Sequence, residues 1–480
     1  MKYNVFLLLL LLKLSFNIPT NKIIRKRAVQ DKDKFCLITL HDENSTYDKN
    51  FIDAFKKTGE ELGVQTEIKS NIPESEECYN VAKEFAQNGC KGIFADSFGH
   101  EQYMLKAAKE FPNIQFAHAT GTLAHTEKLS NFHNVFASIY EARYVTGIAA
   151  GMKLNEMIKK NEIKESEAII GYVGAFPYAE VISGYTAFYL GAKSVCNSAT
   201  MKVRYTNSWY DEQLEKETAE KLIDDDKCKI ISQHADSQGA PNVCESKGVP
   251  NVFCNGENTH LTKSYLISQK INYEPFFKIF IEYTQKGNGA NIGYDWTGTL
   301  NDNSVIVYPA SSIAAEGTQN AVNQAIDDLK LGKTRVFDTS KFTVNGQKLT
   351  SYKADVDTDE NFKKDREVIE DGYFHESEYR SAPYFDIIID GIESITKEEG
   401  TQGNNGAQGN NGTQGNENGE LNSKYIAKSS SGLSIGPILA ILIPCAVVLI
   451  VAAIIGMLCA RRAPVENNYN VDRSINNLKV

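Results

Sequence analysis

The part of this 480-residue chain with alternating strand and helix patterns lacks the usual signs of catalysis. Between Ile23 and Ile395 there is no G-x-S-x-G elbow and no G-x-x-x-x-G-K-[ST] phosphate loop. Gly287, Gly289 and Gly293 do not form the G-x-G-x-x-G dinucleotide fingerprint. No two cysteines stand as C-x-x-C, so neither a zinc cage nor a dithiol redox centre is indicated. Positive charge is not in excess either. The chain has 51 Lys and Arg against 61 Asp and Glu, a net charge of −10. Gripping phosphates needs a basic face, which argues against nucleic acid as the main partner. These absences point to a binding protein that needs no cofactor or metal, not to an enzyme.

Two apolar segments stand at the ends. Lys2 precedes an unbroken run, Phe6 to Leu12, too short to span a bilayer and shaped like a secretory signal peptide over residues 1–20. Residues 433–460 carry no charge and are followed by Arg461 and Arg462. About 20 apolar residues suffice to cross the hydrocarbon core, so this segment reads as one transmembrane helix. Arg461, Arg462, Arg473 and Lys479 outnumber Glu466 and Asp472 in the tail, residues 461–480. Positive charge stays inside, so the expected topology is single-pass at the plasma membrane with the N-terminal region outside. Residues 397–432 repeat Gln-Gly-Asn-Asn-Gly from Gln402 and Gln408 and have too few apolar groups to fold, which predicts a disordered stalk.

An oxidising exterior permits disulfides, and seven cysteines precede the apolar segment. Cys196 and Cys228 each follow a predicted helix near a strand start, which makes them the expected pair. Asn44-Ser45-Thr46 and Asn411-Gly412-Thr413 are glycosylation sequons.

Residues 34–395 alternate short β-rich runs with helical patterns. Strands are expected at 35–40, 65–70, 91–96, 114–120 and 135–140, then at 169–174, 201–206, 229–234 and 251–254. Helices are expected at 50–62, 79–87, 103–110, 180–195, 212–225 and 242–247. In the first helix Phe51, Phe55 and Leu62 form one stripe, while Lys56, Lys57, Glu60 and Glu61 face water. Such alternation builds parallel sheets with right-handed crossovers, and two series in tandem mean two doubly wound lobes, near 34–145 and 165–260. Later segments are shared between them.

In an open α/β sheet, ligands bind beyond the carboxyl ends of the strands. The loops there carry Tyr47 and Asp48, Phe98, Phe176, Trp209, Asp236 and Asn255. Rings to stack on, beside fixed donors and acceptors, suit a planar polar ligand. Plainer roles compete: Asp48, Asp211 and Ser237 are ordinary helix caps, and Phe98, Phe176 and Trp209 could fill lobe cores. His234-x-Asp236-Ser237 has the residue types of a hydrolytic triad, but triad residues seldom crowd into four positions of one loop.

These loops resemble the basic membrane protein family of substrate-binding lipoproteins, also called PnrA-like. The likeness lies in Ser97-Phe98-Gly99, Ala107–Pro112, Phe116–Gly121, Tyr140–Tyr144, Gly147–Gly151, Gly171–Pro177, Thr206–Asp211 and Gln233–Ser237. It extends from about Phe35 to Ile395. The resemblance implies a type I periplasmic-binding-protein-like fold, two Rossmann-like lobes joined by three crossovers around a ligand cleft. It implies binding of a purine base or nucleoside, with Tyr47 at a stacking position, Asp48 near the family's ligand-binding Asn, and Phe98, Phe176, Trp209 and Asp236 on pocket loops. Asn255-Gly256-Glu257 stands where the family often has Asp-Ser-Asp, which favours a free base or an altered nucleoside. No lipobox cysteine lies near the start, so the importer partner of bacterial relatives is in question. The alternative is an adhesion protein that reuses the fold around a vestigial cleft.

Overall fold

In the computed structural model, which describes residues 32–356 and 363–395, local signals set the first βα unit. Strand β1 (Lys34–Ile38) is buried almost throughout, as a parallel-sheet strand must be. Helix α1 (Thr46–Leu62) begins at Ser45, whose hydroxyl accepts from the Asp48 amide, and ends at Gly63 with φ 68°. Its buried stripe, Phe51, Ile52, Ala54 and Phe55, packs on the sheet.

The same unit repeats through β2 (Gln65–Lys69), α2 (Glu76–Gln87), β3 (Cys90–Ala95), α3 (Glu101–Glu110), β4 (Gln115–Ala119), the short α4 (Ala124–Glu127) and β5 (Phe132–Ala137). Helix α5 (Ile139–Lys159) then leads to the second lobe. There follow β6 (Ile169–Gly174), α6 (Ala179–Val195), β7 (Thr200–Tyr205), α7 (Glu212–Asp224), β8 (Ile230–His234), α8 (Gly239–Lys247), β9 (Asn251–Cys254) and β10 (Tyr265–Ile271). Helix α9 (Glu274–Gln285) and β11 (Asp295–Gly298) return to the first lobe, and β12 (Val305–Val307) and α10 (Thr318–Lys330) to the second. The last described stretch holds the short β13 (Lys353–Ala354), β14 (Arg366–Glu367), β15 (Ile369–Glu370) and β16 (Tyr373–Phe374), then β17 (Ile392–Ile395).

The lobe 1 sheet runs β11-β5-β4-β3-β1-β2 and the lobe 2 sheet β12-β10-β9-β8-β6-β7-β17. Every pair is parallel except β10 with β12, which is antiparallel. Strand order reverses between β1 and β3 in one lobe and between β6 and β8 in the other, so two switch points face a common cleft. Between Ser138 and Val305 the chain passes between lobes three times, and these passages are stitched together. Ser138 N–H donates to Gly298 O (2.8 Å), Asn272 N–H to Ser304 O (2.7 Å), and Leu300 N–H to the Glu141 carboxylate (2.8 Å).

Two expectations are corrected. The strand expected at 135–140 is β5, three residues earlier, and Tyr140 belongs to α5. Helix α5 is buried through consecutive residues Ala142, Arg143 and Val145 to Gly151, so it shows no stripe from which a helix could be read. The disulfide joins Cys36 to Cys90, while Cys196 and Cys228 are free and buried. The reason is strand order. Cys196 precedes β7 and Cys228 precedes β8, with β6 lying between those strands, about two 4.8 Å spacings apart. Cys36 on β1 and Cys90 on neighbouring β3 have Cα atoms 6.1 Å apart, inside the range a disulfide needs.

Among the described residues no helix is long and apolar enough to cross a membrane. The expected signal segment (1–20), the stalk (397–432), the span at 433–460 and the tail lie outside the described residues. Of the two sequons, Asn44 is exposed and Asn411 lies outside them.

Candidate ligand-binding cleft

The loops at the two switch points meet around a cavity of about 420 Å³, a value that includes its open mouth. Lobe 1 contributes Leu40, His41, Tyr47, Asp48, Ser97, Phe98 and Thr120. Lobe 2 contributes Glu180, Trp209, His234 and Asp236. Small-molecule sites share this mixture of rings and convergent polar groups.

The lobes touch across the cleft. Thr46 N–H donates to Asp236 O at 3.1 Å, and Asn50 Nδ2 to Asn255 O at 3.1 Å. Thr120 Oγ1 lies 3.4 Å from Glu180 Oε2. The rings of His41 and Tyr210 pair at 5.5 Å, and those of Phe98 and Tyr178 at 5.7 Å. This is a closed arrangement that still encloses space.

Of the residues singled out from the sequence, Tyr47, Asp48, Phe98, Trp209 and Asp236 line the cavity. Tyr47 is held by its hydroxyl on Asp96 O (3.0 Å) and by Phe51 at 4.9 Å. Phe176 stands one layer back. It stacks on Tyr178 (5.1 Å, 12°) and meets Trp209 edge-on (5.2 Å), so it positions the indole. Asn255 is also outside the lining, and its carbonyl serves the interlobe bond to Asn50. Asp211 is a helix cap, accepting from Leu214 N–H at 2.9 Å. Ser237 accepts from Gly239 N–H at 3.0 Å and gives its own amide to Glu215. His234 Nε2 faces Glu180 at 3.8 Å and its Nδ1 has no partner, so no hydrogen-bonded triad forms in this loop.

The carboxyl groups differ in charge state. Burial works against ionisation of Asp48, but hydrogen bonds from His41 and Ser45 prevail and hold its pKa below the usual value. Burial, and then the charge on Asp48, push Asp236 and the adjoining Asp96 well above the usual range. Burial, and then Arg143, lower His234, which keeps its imidazole neutral. Asp48 is saturated by its own loop. The Asp236 side chain makes no hydrogen bond among the described residues and opens on the cavity. Beneath the site Arg143 is fully buried, donating to Gln233 O (2.7 Å) and Cys254 Sγ (2.8 Å).

Glu180 and Thr120 were not singled out from the sequence. Glu180 reads there as a carboxylate in the first turn of α6, favoured by the helix dipole wherever it points. Its place two residues after the Gly174–Tyr178 loop was the available signal. Gly184, one turn on, gives His234 room: a Cβ there would lie 3.1 Å from His234 Nδ1.

The chain is 37% identical over 198 residues to a purine-binding protein of Brucella abortus, covering 41% of this chain and 52% of that one. It is 34% identical over 212 residues to a putative ABC transporter glucose-binding protein of Haloferax volcanii, covering 43% and 49%. The chain therefore spans about half the length of these curated relatives. Solved solute-binding proteins share the fold. One from Conexibacter woesei has TM-score 0.51 at 18% identity, over 63% of this chain and 98% of its own. One from Aeropyrum pernix has TM-score 0.52 at 14% identity, over 64% and 93%. The family model for PnrA-like ABC transporter substrate-binding proteins matches residues 38–326, the stretch that builds both lobes and the cleft, and the chain belongs to that family.

Proposed function

We propose that this protein is a non-enzymatic receptor for a purine base or nucleoside, held in the interlobe cavity. One observation carries the reading: stacking surfaces on Tyr47, Phe98 and Trp209 surround an Asp236 carboxyl with no hydrogen bond of its own. A flat heterocycle with N–H donors on its edge would satisfy both. Among the described residues no Lys or Arg lines the cavity, and Asp48 brings negative charge, so a nucleotide's phosphate would be repelled. The purine-binding relative from Brucella supports this ligand class, and the relative named for glucose supplies the rival.

Calorimetry with adenine, hypoxanthine, adenosine, guanosine, inosine and glucose tests the reading. We expect heat from at least one purine, weakened by about 1–3 kcal/mol in Trp209→Ala, the usual worth of a base on a ring. Silence with all five purines would sink the proposal. Heat from glucose alone would move the ligand to sugars.

We further propose that the cleft faces the cell exterior, above the polar stalk and one membrane span at 433–460. The Cys36–Cys90 disulfide suits an oxidising compartment. Protease applied to intact cells should leave the Arg461–Val480 tail uncut. Loss of the tail under those conditions would reverse the topology.

A further inference from the structure

The chain continues beyond the residues that match the family. Residues 331–356 and 363–395 pack largely on lobe 2, where Phe337, Phe342, Phe374 and Phe385 join the core built on α5 and α6. Phe385 stacks on Phe337 at 4.6 Å and meets Phe374 edge-on at 4.8 Å.

From this anchorage the segment 376–381 crosses to lobe 1. At its start the buried Glu376 is hydrogen-bonded to Ser183 on α6. At its end Ser381 makes three contacts with lobe 1. Its amide donates to the Asp295 carboxylate (2.9 Å) and its carbonyl accepts from Asn134 Nδ2 (2.9 Å). Its hydroxyl lies 2.8 Å from Thr297 Oγ1. Asn134 is on β5 and Asp295 and Thr297 are on β11, the two strands whose carboxyl ends lead into interlobe passages. Ser381 and Asn134 are each 1% exposed.

We propose that residues 376–381 form a strap across the hinge that restrains lobe opening and holds the empty protein near its closed arrangement. The three passages are main chain bonded to one another, so they can bend together as one hinge. The strap cannot: rotation of lobe 1 away from residue 381 strands a buried amide, carbonyl and hydroxyl without partners. Because its contacts sit at the hinge, a small displacement there becomes a large one at the cleft mouth. The inference rests on the two-lobed fold and not on the identity of the ligand.

The test uses the full-length chain without added ligand. Spin labels on Glu43→Cys and Gln213→Cys, exposed positions of opposite lobes, report the distance across the cleft. The five free thiols among the described residues are buried, and Cys445 and Cys459 are replaced by alanine in every chain tested. The parent should give one short distance. Thr297→Val deletes the hydroxyl contact with little change of shape and should add a longer-distance population. Asp295→Ala should enlarge that population at least threefold over Thr297→Val. A cooperative melt in each variant establishes that it is folded. Should Asp295→Ala fail to fold, Thr297→Val decides alone. A folded Thr297→Val chain with the parent's distribution would overturn the proposal, as would a parent that already samples the long distance equally.

Discussion

Replacing Gly191 with valine should cost about 3 kcal/mol or more of stability, enough to unfold much of lobe 2 at growth temperature. A Cβ at Gly191 would sit 1.9 Å from the carbonyl oxygen of Tyr144. The contact is reciprocal, since a Cβ at Gly147 would lie 2.0 Å from Phe188 O and one at Gly151 2.4 Å from Ala192 O. Helices α5 and α6 therefore meet backbone to backbone through three glycines, and none of the three carbonyls can move without breaking its helix. Both helices are buried on most sides, which leaves no solvent face into which they could shift. A close-packed interior cannot absorb even two methyl groups at such a point. Gly256→Ala is the control, because its nearest neighbour would be a ring carbon at 3.6 Å and it should change stability by under about 0.5 kcal/mol. Urea melts followed by far-UV circular dichroism measure both. A Gly191→Val midpoint equal to the parent's would mean that the helices are not in this contact.

Removing the Cys36–Cys90 disulfide should cost about 4 kcal/mol, the loop-closure entropy expected for a sequence separation of 54. The bond joins β1 to β3, the two strands that flank the lobe 1 switch point, and encloses β2 and the helices on either side of it. Its loss frees that whole segment in the unfolded chain while leaving the folded sheet largely unchanged. Cys36→Ala/Cys90→Ala should lower the urea midpoint, and reductant should do the same to the parent but not to the variant. Cys196→Ala/Cys228→Ala replaces two buried free thiols with smaller groups, so reductant should still shift its midpoint as in the parent. If reductant leaves the parent's midpoint in place, no disulfide is present, and a shift lost only in the second variant would restore the pairing of Cys196 with Cys228.

The cleft was partly legible before any tertiary structure. Strands such as Ile169–Gly174 and Asn251–Cys254 could be placed because a parallel strand is covered on both faces and reads as an apolar run. Helices α1, α2 and α7 could be placed because each leaves one face wet and so keeps a 3.6-residue stripe. Helix α5 could not, because α6 and α10 cover it and no residue from Ile139 to Gly151 is exposed. Reading only the loops after the strands found Tyr47, Asp48, Phe98, Trp209 and Asp236, since alternation alone dictates that these loops gather at one edge of each sheet.

By itself, then, the sequence determined two doubly wound lobes, the loops that face the cleft, and the aromatic and acidic character of what they carry. These follow from periodicity and from short-range order along the chain. Only the tertiary structure decided which side chains reach the cavity and in which charge state. Phe176 and Tyr178 are two residues apart and stack on each other, and both rings meet Trp209 from the next loop. Asp48 and Asp236 are the same residue type, yet one is satisfied by its own loop while the other is buried against its charge. The disulfide depended on strand order, which sets β1 beside β3 and keeps β7 from β8. The strap depended on Ser381 meeting Asp295 across 86 residues of chain. The disulfide, the placing of Trp209 and the Ser381 contact join segments far apart in the chain, and such pairings are decided by strand order and by how the lobes pack, not by any pattern within reach of one segment.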